Sequence, residues 1–252
     1  MQVTSPPPTF LREASNPLRW SILSALSQGD LRVRELCGVT GEPQNLVSYH
    51  LGRLRSARLV SMRRSSADGR DSYYRIDLGR CGELLSEAGA ALHPALGGGS
   101  ARAVVSGVRT GPARVLFLCT GNSARSQMAE AMLRTRAPFP VEVFSAGSRP
   151  KPLHAEAVRA MAARAIDILA QRPKHFEEFA ASEFDFVVTL CDRVREVCPE
   201  FPGQPGVLHW SMPDPSTEGT AEAFERTAEE LETRIAYFIT FIENAREGQE
   251  VA

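Results

Sequence analysis

Residues 113–136, "ARVLFLCTGNSARSQMAEAMLRTR", run from an unbroken apolar stretch through a short polar loop into a helical pattern. An apolar run of this length, bounded by small and polar residues, reads as a buried strand, and "SQMAEAMLRTRA" reads as a helix. The loop between them opens on Cys119 and closes on Arg125, a Cys-x5-Arg spacing at a strand-to-helix junction. Backbone N–H groups of such a loop can ring an oxyanion, and the helix N-terminus adds favourable partial charge. Arg125 can grip two oxygens bidentately. The same field lowers the pKa of a thiol, so a thiolate is expected at Cys119, with Ser126 placed to donate to it. Gly121 is expected to permit close backbone approach. Thr120, Gly121, Asn122, Ser123, Ala124 and Ser126 make up the expected oxyanion-binding loop. The alternative is a chance Cys–Arg pair in a structural loop. Strand, glycine, Arg-Ser pair and helix in one register weigh against it.

Outward from this stretch the alternation continues. "VEVFSAG" is a second strand, "HAEAVRAMAARA" a helix, "FDFVVTLC" a third strand and "GVLHWSM" a fourth, before a long amphipathic helix over "TAEAFERTAEELETRIAYFITFIENA". Strands alternating with helices predict an α/β domain with a four-stranded parallel sheet flanked by helices. Ligands of such sheets gather at the carboxyl ends of the strands, where Cys119, Cys191 and the segment after Trp210 all fall.

Ahead of this domain the pattern changes. Residues 94–112, "PALGGGSARAVVSGVRTGP", have the composition of a flexible linker. The expected division is a first domain over 1–93, the linker over 94–112 and a second domain over 113–252. The chain has 252 residues, 43% hydrophobic and 23% charged, which fits globular domains and excludes general disorder. No stretch has the roughly 18–20 apolar residues that span a bilayer. The N-terminus lacks the basic start and apolar core of a secretory signal, so the cytoplasm is expected. Five cysteines, Cys37, Cys81, Cys119, Cys191 and Cys198, are too few and too scattered for a disulfide framework. Between Leu31 and Arg80 ten arginines face five acids, a local basic face that suits a polyanion or a solvated surface.

Within residues 1–93, "NPLRWSILSALSQG" carries Leu18, Ile22, Leu23 and Leu26 at helical spacing and is closed by Gly29. "LRVRELCGVT" predicts a short second helix. "PQNLVSYHLGRLRSARLV" predicts a third, with Leu46, Val47, His50, Leu51 and Leu54 on one side. Two extended runs around "ADGRD" predict a hairpin. Three helices and a hairpin describe a winged helix-turn-helix, mainly α with a β-hairpin wing.

In register, turn and wing this stretch resembles the arsenical-resistance-operon repressor (ArsR) family of winged-helix regulators. Gln44, Val47, Ser48, His50, Leu51, Leu54 and Arg55, then Arg63, Arg64, Gly69, Arg70 and Tyr74, carry the resemblance over roughly residues 15–80. It implies a homodimer, through this domain, on double-stranded operator DNA. Gln44, Asn45, Ser48, Tyr49 and Arg53 are the expected helix contacts in the major groove, and Arg63, Arg64 and Arg70 the expected phosphate partners. His50 suits helix packing as well as DNA contact. Founding members carry a Cys-x-Cys-x-x-Cys cluster for arsenite. Arg32 and Arg34 stand at its first two positions here, leaving Cys37, and one thiol cannot chelate a trivalent metalloid alone.

The second domain's loop is similar to those of both low-molecular-weight tyrosine phosphatases and thioredoxin-coupled arsenate reductases. Two features separate them. "TLCDRVREVCP" sets Cys191 at a strand end and Cys198 seven residues later, and "HWSMPDPSTEG" follows Asp214-Pro215 with Ser216 rather than an aromatic residue. Together these look like the thioredoxin-coupled arsenate reductase family over roughly residues 113–245. The resemblance implies a relay in which Cys119 attacks arsenate, Asp214 protonates the departing oxygen, and Cys191 and then Cys198 carry the disulfide outward. Thioredoxin or a similar thiol system is the implied reductant, with no tightly bound cofactor and no resident metal. Some family members bind potassium beside the loop. Asn122, Glu130 and Ser145 match that site, but Lys174 stands where an acid is expected, so potassium independence is expected. His154, His175 and His209 are expected to be structural. A regulator whose second domain only senses oxyanion or redox state, and a phosphatase fused to a DNA-binding module, are the other readings.

Overall fold

A computed structural model describes residues 7–67, 69–92 and 111–247, and the chain parts into two units, Met1–Val105 and Ser106–Ala252. The linker expected at 94–112 lies outside the described residues except for its last two. No helix among the described residues is long and apolar enough to cross a membrane.

In the first unit, α1 (Thr9–Ala14) precedes α2 (Pro17–Ser27). Asn16 starts α2 by accepting from the Arg19 amide at 3.1 Å, and Pro17 takes the first helical position, where an N–H would be unpaired anyway. β1 (Leu31–Arg32) leads into α3 (Val33–Thr40), which stops at Gly41 in the left-handed region at φ 72°. Then follow α4 (Gln44–Ser56), the hairpin β2 (Val60–Arg64) and β3 (Ser72–Ile76), and α5 (Leu78–Leu92). The three strands lie in the order β1-β3-β2, antiparallel throughout. Ile22, Leu23, Leu26, Leu36, Val47, Leu51, Leu54 and Leu59 fill the core.

This is the winged helix-turn-helix expected, with differences. Leu31 and Arg32 do not begin the second helix. They pair with Tyr74 and Tyr73, partners some forty residues away that local pattern cannot announce. Leu46 is not on the buried stripe of α4. The stripe runs Val47, His50, Leu51, Leu54, an i, i+3, i+4, i+7 series, and Leu46 falls a hundred degrees off it and is exposed. Neither α1 nor α5 was foreseen: α1 is too short for a periodic signal, and the buried face of α5 consists of Cys81, Leu84 and Ala88, mostly small residues.

In the second unit, β4 (Ala113–Cys119), α6 (Arg125–Arg136), β5 (Val141–Gly147), α7 (Ala155–Ala162), a 3-10 turn at Phe176–Phe179, β6 (Phe186–Thr189), α8 (Asp192–Glu196), β7 (Gly206–His209), α9 (Pro215–Glu218) and α10 (Ala221–Glu247) follow one another. All four strands are parallel, in the order β5-β4-β6-β7. Register aligns their carboxyl ends: Cys119 lies beside Gly147, Leu118 beside Thr189, and Thr189 beside His209. One edge of the sheet therefore receives the loops that follow β4, β6 and β7. Leu116, Phe117 and Leu118 of central β4 are fully buried. Phe224, Ala228, Leu231, Ile235, Phe238 and Ile242 recur at three- and four-residue steps along α10 and face the same core.

The Phe117 ring lies 5.9 Å from that of Trp210 and 6.3 Å from that of Phe238. Phe117→Ala is expected to lower the stability of this unit by about 3–5 kcal/mol. Urea unfolding followed through Trp210, in a Trp20→Phe background, measures it as a lower midpoint at unchanged slope.

Candidate active site

The loop from Thr120 to Ala124 turns between β4 and α6 and is half-buried to buried along its length, so its backbone polar groups need partners. Each of its five carbonyls has one. Thr120 O accepts from Arg149 N at 2.8 Å, Gly121 O from Lys151 N at 2.9 Å and Ser123 O from His154 N at 2.9 Å. Asn122 O accepts from Gln127 Nε2 at 3.1 Å, and Ala124 O from Met128 N at 2.9 Å. With the carbonyls committed, the loop's remaining backbone groups are donors. Ala124, at the N-terminus of α6, provides no side-chain cap either, so the first amides of that helix add to the donors.

The conformation depends on two residues. Asn122 sits at φ 43°, a region its short polar side chain tolerates. Its Nδ2 donates to Ser126 Oγ and Ser145 Oγ, both at 2.9 Å, and its Oδ1 accepts from Lys174 N at 2.7 Å. Gly147 is the other. A Cβ there would stand 2.7 Å from Thr120 O, 2.8 Å from Cys119 O and 2.9 Å from Asn122 N. A Cβ at Gly121 would meet the Ser123 hydroxyl at 3.0 Å, itself a tight contact.

Cys119 is buried at the end of β4. Its Sγ accepts from Asn122 N at 3.2 Å and lies 3.0 Å from Ser126 Oγ. Because the Ser126 oxygen already accepts from Asn122, its own proton is free to point at the sulfur. Arg125, also buried, donates from Nη1 to Met212 O at 3.0 Å and pairs through Nη2 with Asp214 Oδ2 at 2.8 Å. Burial pushes the Asp214 carboxyl up. Arg125, the Ser216 hydroxyl and amide, and Lys151 together outweigh it and hold the group below the ordinary carboxylate range. Asp214 also caps α9.

Cys191 is buried two residues beyond β6, and its Sγ lies 3.2 Å from Thr120 Oγ1. Cys198 lies two residues past the end of the short α8, half-buried, and burial pushes its thiol up to about 11. All five cysteines are free. Asp192, next to Cys191, is anchored in a network sequence reasoning missed: its Oδ1 accepts from Ser211 Oγ at 2.6 Å and lies 3.2 Å from His209 Nε2, while His209 Nδ1 lies 2.8 Å from Thr189 Oγ1. His154 caps α7 and stacks on Phe224 at 4.4 Å, and His175 caps the 3-10 turn.

Beside the loop, Ser145 Oγ donates to Glu130 Oε2 at 2.6 Å, and the Lys174 ammonium lies 3.6 Å from the same oxygen and 3.1 Å from Arg172 O. The three residues matched to the family's potassium site thus come together with Lys174, whose ammonium lies on the carboxylate a cation would neutralise. That arrangement does not fit an additional potassium ion. No group of three or more His, Cys, Asp or Glu that could hold a metal occurs among the described residues.

In the first unit, Gln44, Asn45, Ser48 and Tyr49 are exposed on α4, and His50 is buried. Arg53 is half-exposed and donates to Glu13 Oε1 at 3.2 Å, a buried carboxylate that also pairs with Arg19 at 3.5 Å. Arg64 and Arg70 are exposed on the wing. Arg63 is half-buried there, with Nη1 donating to Arg64 O at 3.1 Å. Arg32 bonds Glu35 and the wing's Asp71, each at 3.1 Å, with its guanidinium 5.6 Å over Tyr73. A clamp between α3 and the wing therefore occupies the place of a sensing thiol. Cys81 is buried, which pushes its thiol up to about 11, and Cys37 packs half-buried against the same core.

Residues 114–248 match the family model for low molecular weight phosphotyrosine protein phosphatase, and residues 16–62 that for bacterial regulatory protein, arsR family. The chain is 38% identical over 129 residues to an arsenate reductase of Halalkalibacterium halodurans, covering 49% of this chain and 93% of the relative. It is 39% identical over 124 residues to an arsenate reductase of Brevibacillus brevis, covering 49% and 92%. Among solved structures it is similar to an arsenate reductase in oxidized state, 30% identical with a TM-score of 0.46 over 51% of this chain and 98% of that one.

Two outcomes follow from the geometry. Gly147→Ala is expected to displace the loop, costing about 1–3 kcal/mol by overpacking and abolishing the protection of Cys119 from iodoacetamide by sulfate. Activity is expected to be equal in sodium and potassium buffers of the same ionic strength, because Lys174 already neutralises Glu130.

Proposed function

The chain belongs to the low molecular weight phosphotyrosine protein phosphatase family, and we propose that it reduces arsenate to arsenite and carries, on the same chain, an arsR-family segment that binds operator DNA as a homodimer. The observation that carries the reduction is the second thiol at the loop: Cys191 Sγ against Thr120 Oγ1 at 3.2 Å. Hydrolysis of a phosphate ester needs one nucleophilic thiol. Reduction of arsenic(V) needs a second thiol that can reach the first.

The chemistry proceeds by displacement at arsenic and then at sulfur. Cys119 attacks arsenate, held by the loop amides and Arg125, and an As–O bond breaks as Asp214 protonates the leaving oxygen to water. In the structure Arg125 and its neighbours hold Asp214 ionised. An oxyanion that draws the guanidinium onto its own oxygens removes that partner and sets negative charge beside the carboxyl, and both changes raise it towards the protonated form. Binding therefore prepares the acid.

Cys191 then attacks Cys119 Sγ. The S–As bond breaks, its electron pair stays on arsenic, and arsenite leaves as a Cys119–Cys191 disulfide forms. Cys198 attacks Cys191 in turn, freeing Cys119 and leaving a Cys191–Cys198 disulfide for an external dithiol such as thioredoxin. Burial weakens Cys198 as a nucleophile where it stands. The segment after Asp192 must therefore loop out for that step. The Asp192–His209–Ser211 network holds its near end. The exposed polar face of α4 and the wing arginines support DNA binding.

The test is NADPH oxidation by the protein with arsenate, thioredoxin and thioredoxin reductase, beside Cys119→Ser and Cys198→Ser. Turnover in the wild type and a loss of at least about a thousandfold in both variants, in line with removing a nucleophile, supports the relay. Phosphatase activity that survives Cys198→Ser without arsenate turnover would establish hydrolysis instead. Neither activity would leave an oxyanion or redox sensor.

A further inference from the structure

We propose that Lys151 is a substrate-binding residue, a second cation at the rim of the loop that supplies the charge a doubly ionised oxyanion requires. The inference rests on the oxyanion-site reading above and deepens it.

Lys151 is rooted on the loop itself. Arg149 N, Lys151 N and His154 N bond the carbonyls of Thr120, Gly121 and Ser123, so the backbone of 149–154 follows the loop and cannot drift from it. The side chain returns across the loop, with its Cδ 3.9 Å from where a methyl group on Gly121 would stand. Its charge acts on Asp214 together with that of Arg125. Lys151 is exposed, so a ligand in the mouth can reach it.

Charge balance shows why it is needed. A dianion bound over Cys119 meets one buried cation at its base, the guanidinium of Arg125, which in the structure is paired with Asp214. Lys174 is engaged by Glu130 on the other side of Asn122. Lys151 is the further cation whose field reaches Asp214. Residue choice points the same way. Among 29 basic side chains the chain has only two lysines, and both lie against this loop. Neither Arg149–Pro152 nor Pro215–Ser216 supplies an aromatic wall for an aryl ester.

The experiment measures oxyanion binding without turnover, as the concentration of sulfate, phosphate or arsenate that half-protects Cys119 from iodoacetamide, read by peptide mass spectrometry. Lys151→Met is expected to weaken protection by all three about tenfold, as one lost charge contact of some 1.4 kcal/mol would. Lys151→Arg is expected to stay within about threefold of wild type. Arg149→Met, the same charge change two residues away, is the control and should move protection less than about twofold. In the coupled arsenate assay Lys151→Met should raise KM by the same factor with kcat within about threefold. Unchanged protection in Lys151→Met overturns the proposal, as does an equal loss in Arg149→Met. A wild type that turns over no arsenate while sulfate still protects Cys119 defeats the reductase reading and leaves the Lys151 result intact. Absence of protection in the wild type defeats both.

Discussion

A buried loop that binds an anion must keep its amides available and its carbonyls occupied. Satisfying the carbonyls of Thr120 to Ala124 is the constraint on which the rest of this site depends. Two are answered locally, by Gln127 and by the first turn of α6. The other three are answered by the strip Arg149–His154, beyond β5. That strip reaches them only because β5 pairs with β4 in a register that sets Gly147 beside Cys119, where any side chain would strike the loop. The parallel sheet thus determines the polarity of the loop, and the polarity of the loop determines what it can bind.

The same sheet edge brings a second thiol to the loop. Pairing of β4 with β6 puts Leu118 beside Thr189, so the chain leaving β6 passes the loop and delivers Cys191 to Thr120. Pairing of β6 with β7 places His209 and Ser211 where they hold Asp192, fixing the residue after that thiol. Beyond Asp192, α8 buries Val194 and ends at Glu196, Val197 is exposed, and Cys198 packs half-buried against the core.

In the first unit, the guanidinium of Arg32 occupies the place of a sensing thiol and joins the N-terminus of α3 to Asp71 of the wing. Glu13, buried on α1, reaches Arg53 on α4. Both are structural ties between elements far apart in sequence. Arg53 reads as a groove contact from its position on the helix, and its pairing with Glu13 emerges only when α1, itself not apparent in the sequence, is in place.

From the sequence alone, the winged-helix and α/β folds, the Cys119–Arg125 loop and the positions of Cys191 and Asp214 in the segments that follow strands were legible. Each is a local pattern: apolar period, strand-to-helix junction, motif spacing. The brace on the loop, the close approach at Gly147, the anchoring of Asp192 and the rim position of Lys151 were decided only by tertiary structure. They depend on strand register and on hydrogen bonds between segments tens of residues apart. A residue's type shows what it can donate or accept, but only the packed sheet decides which partner stands within three ångströms of it.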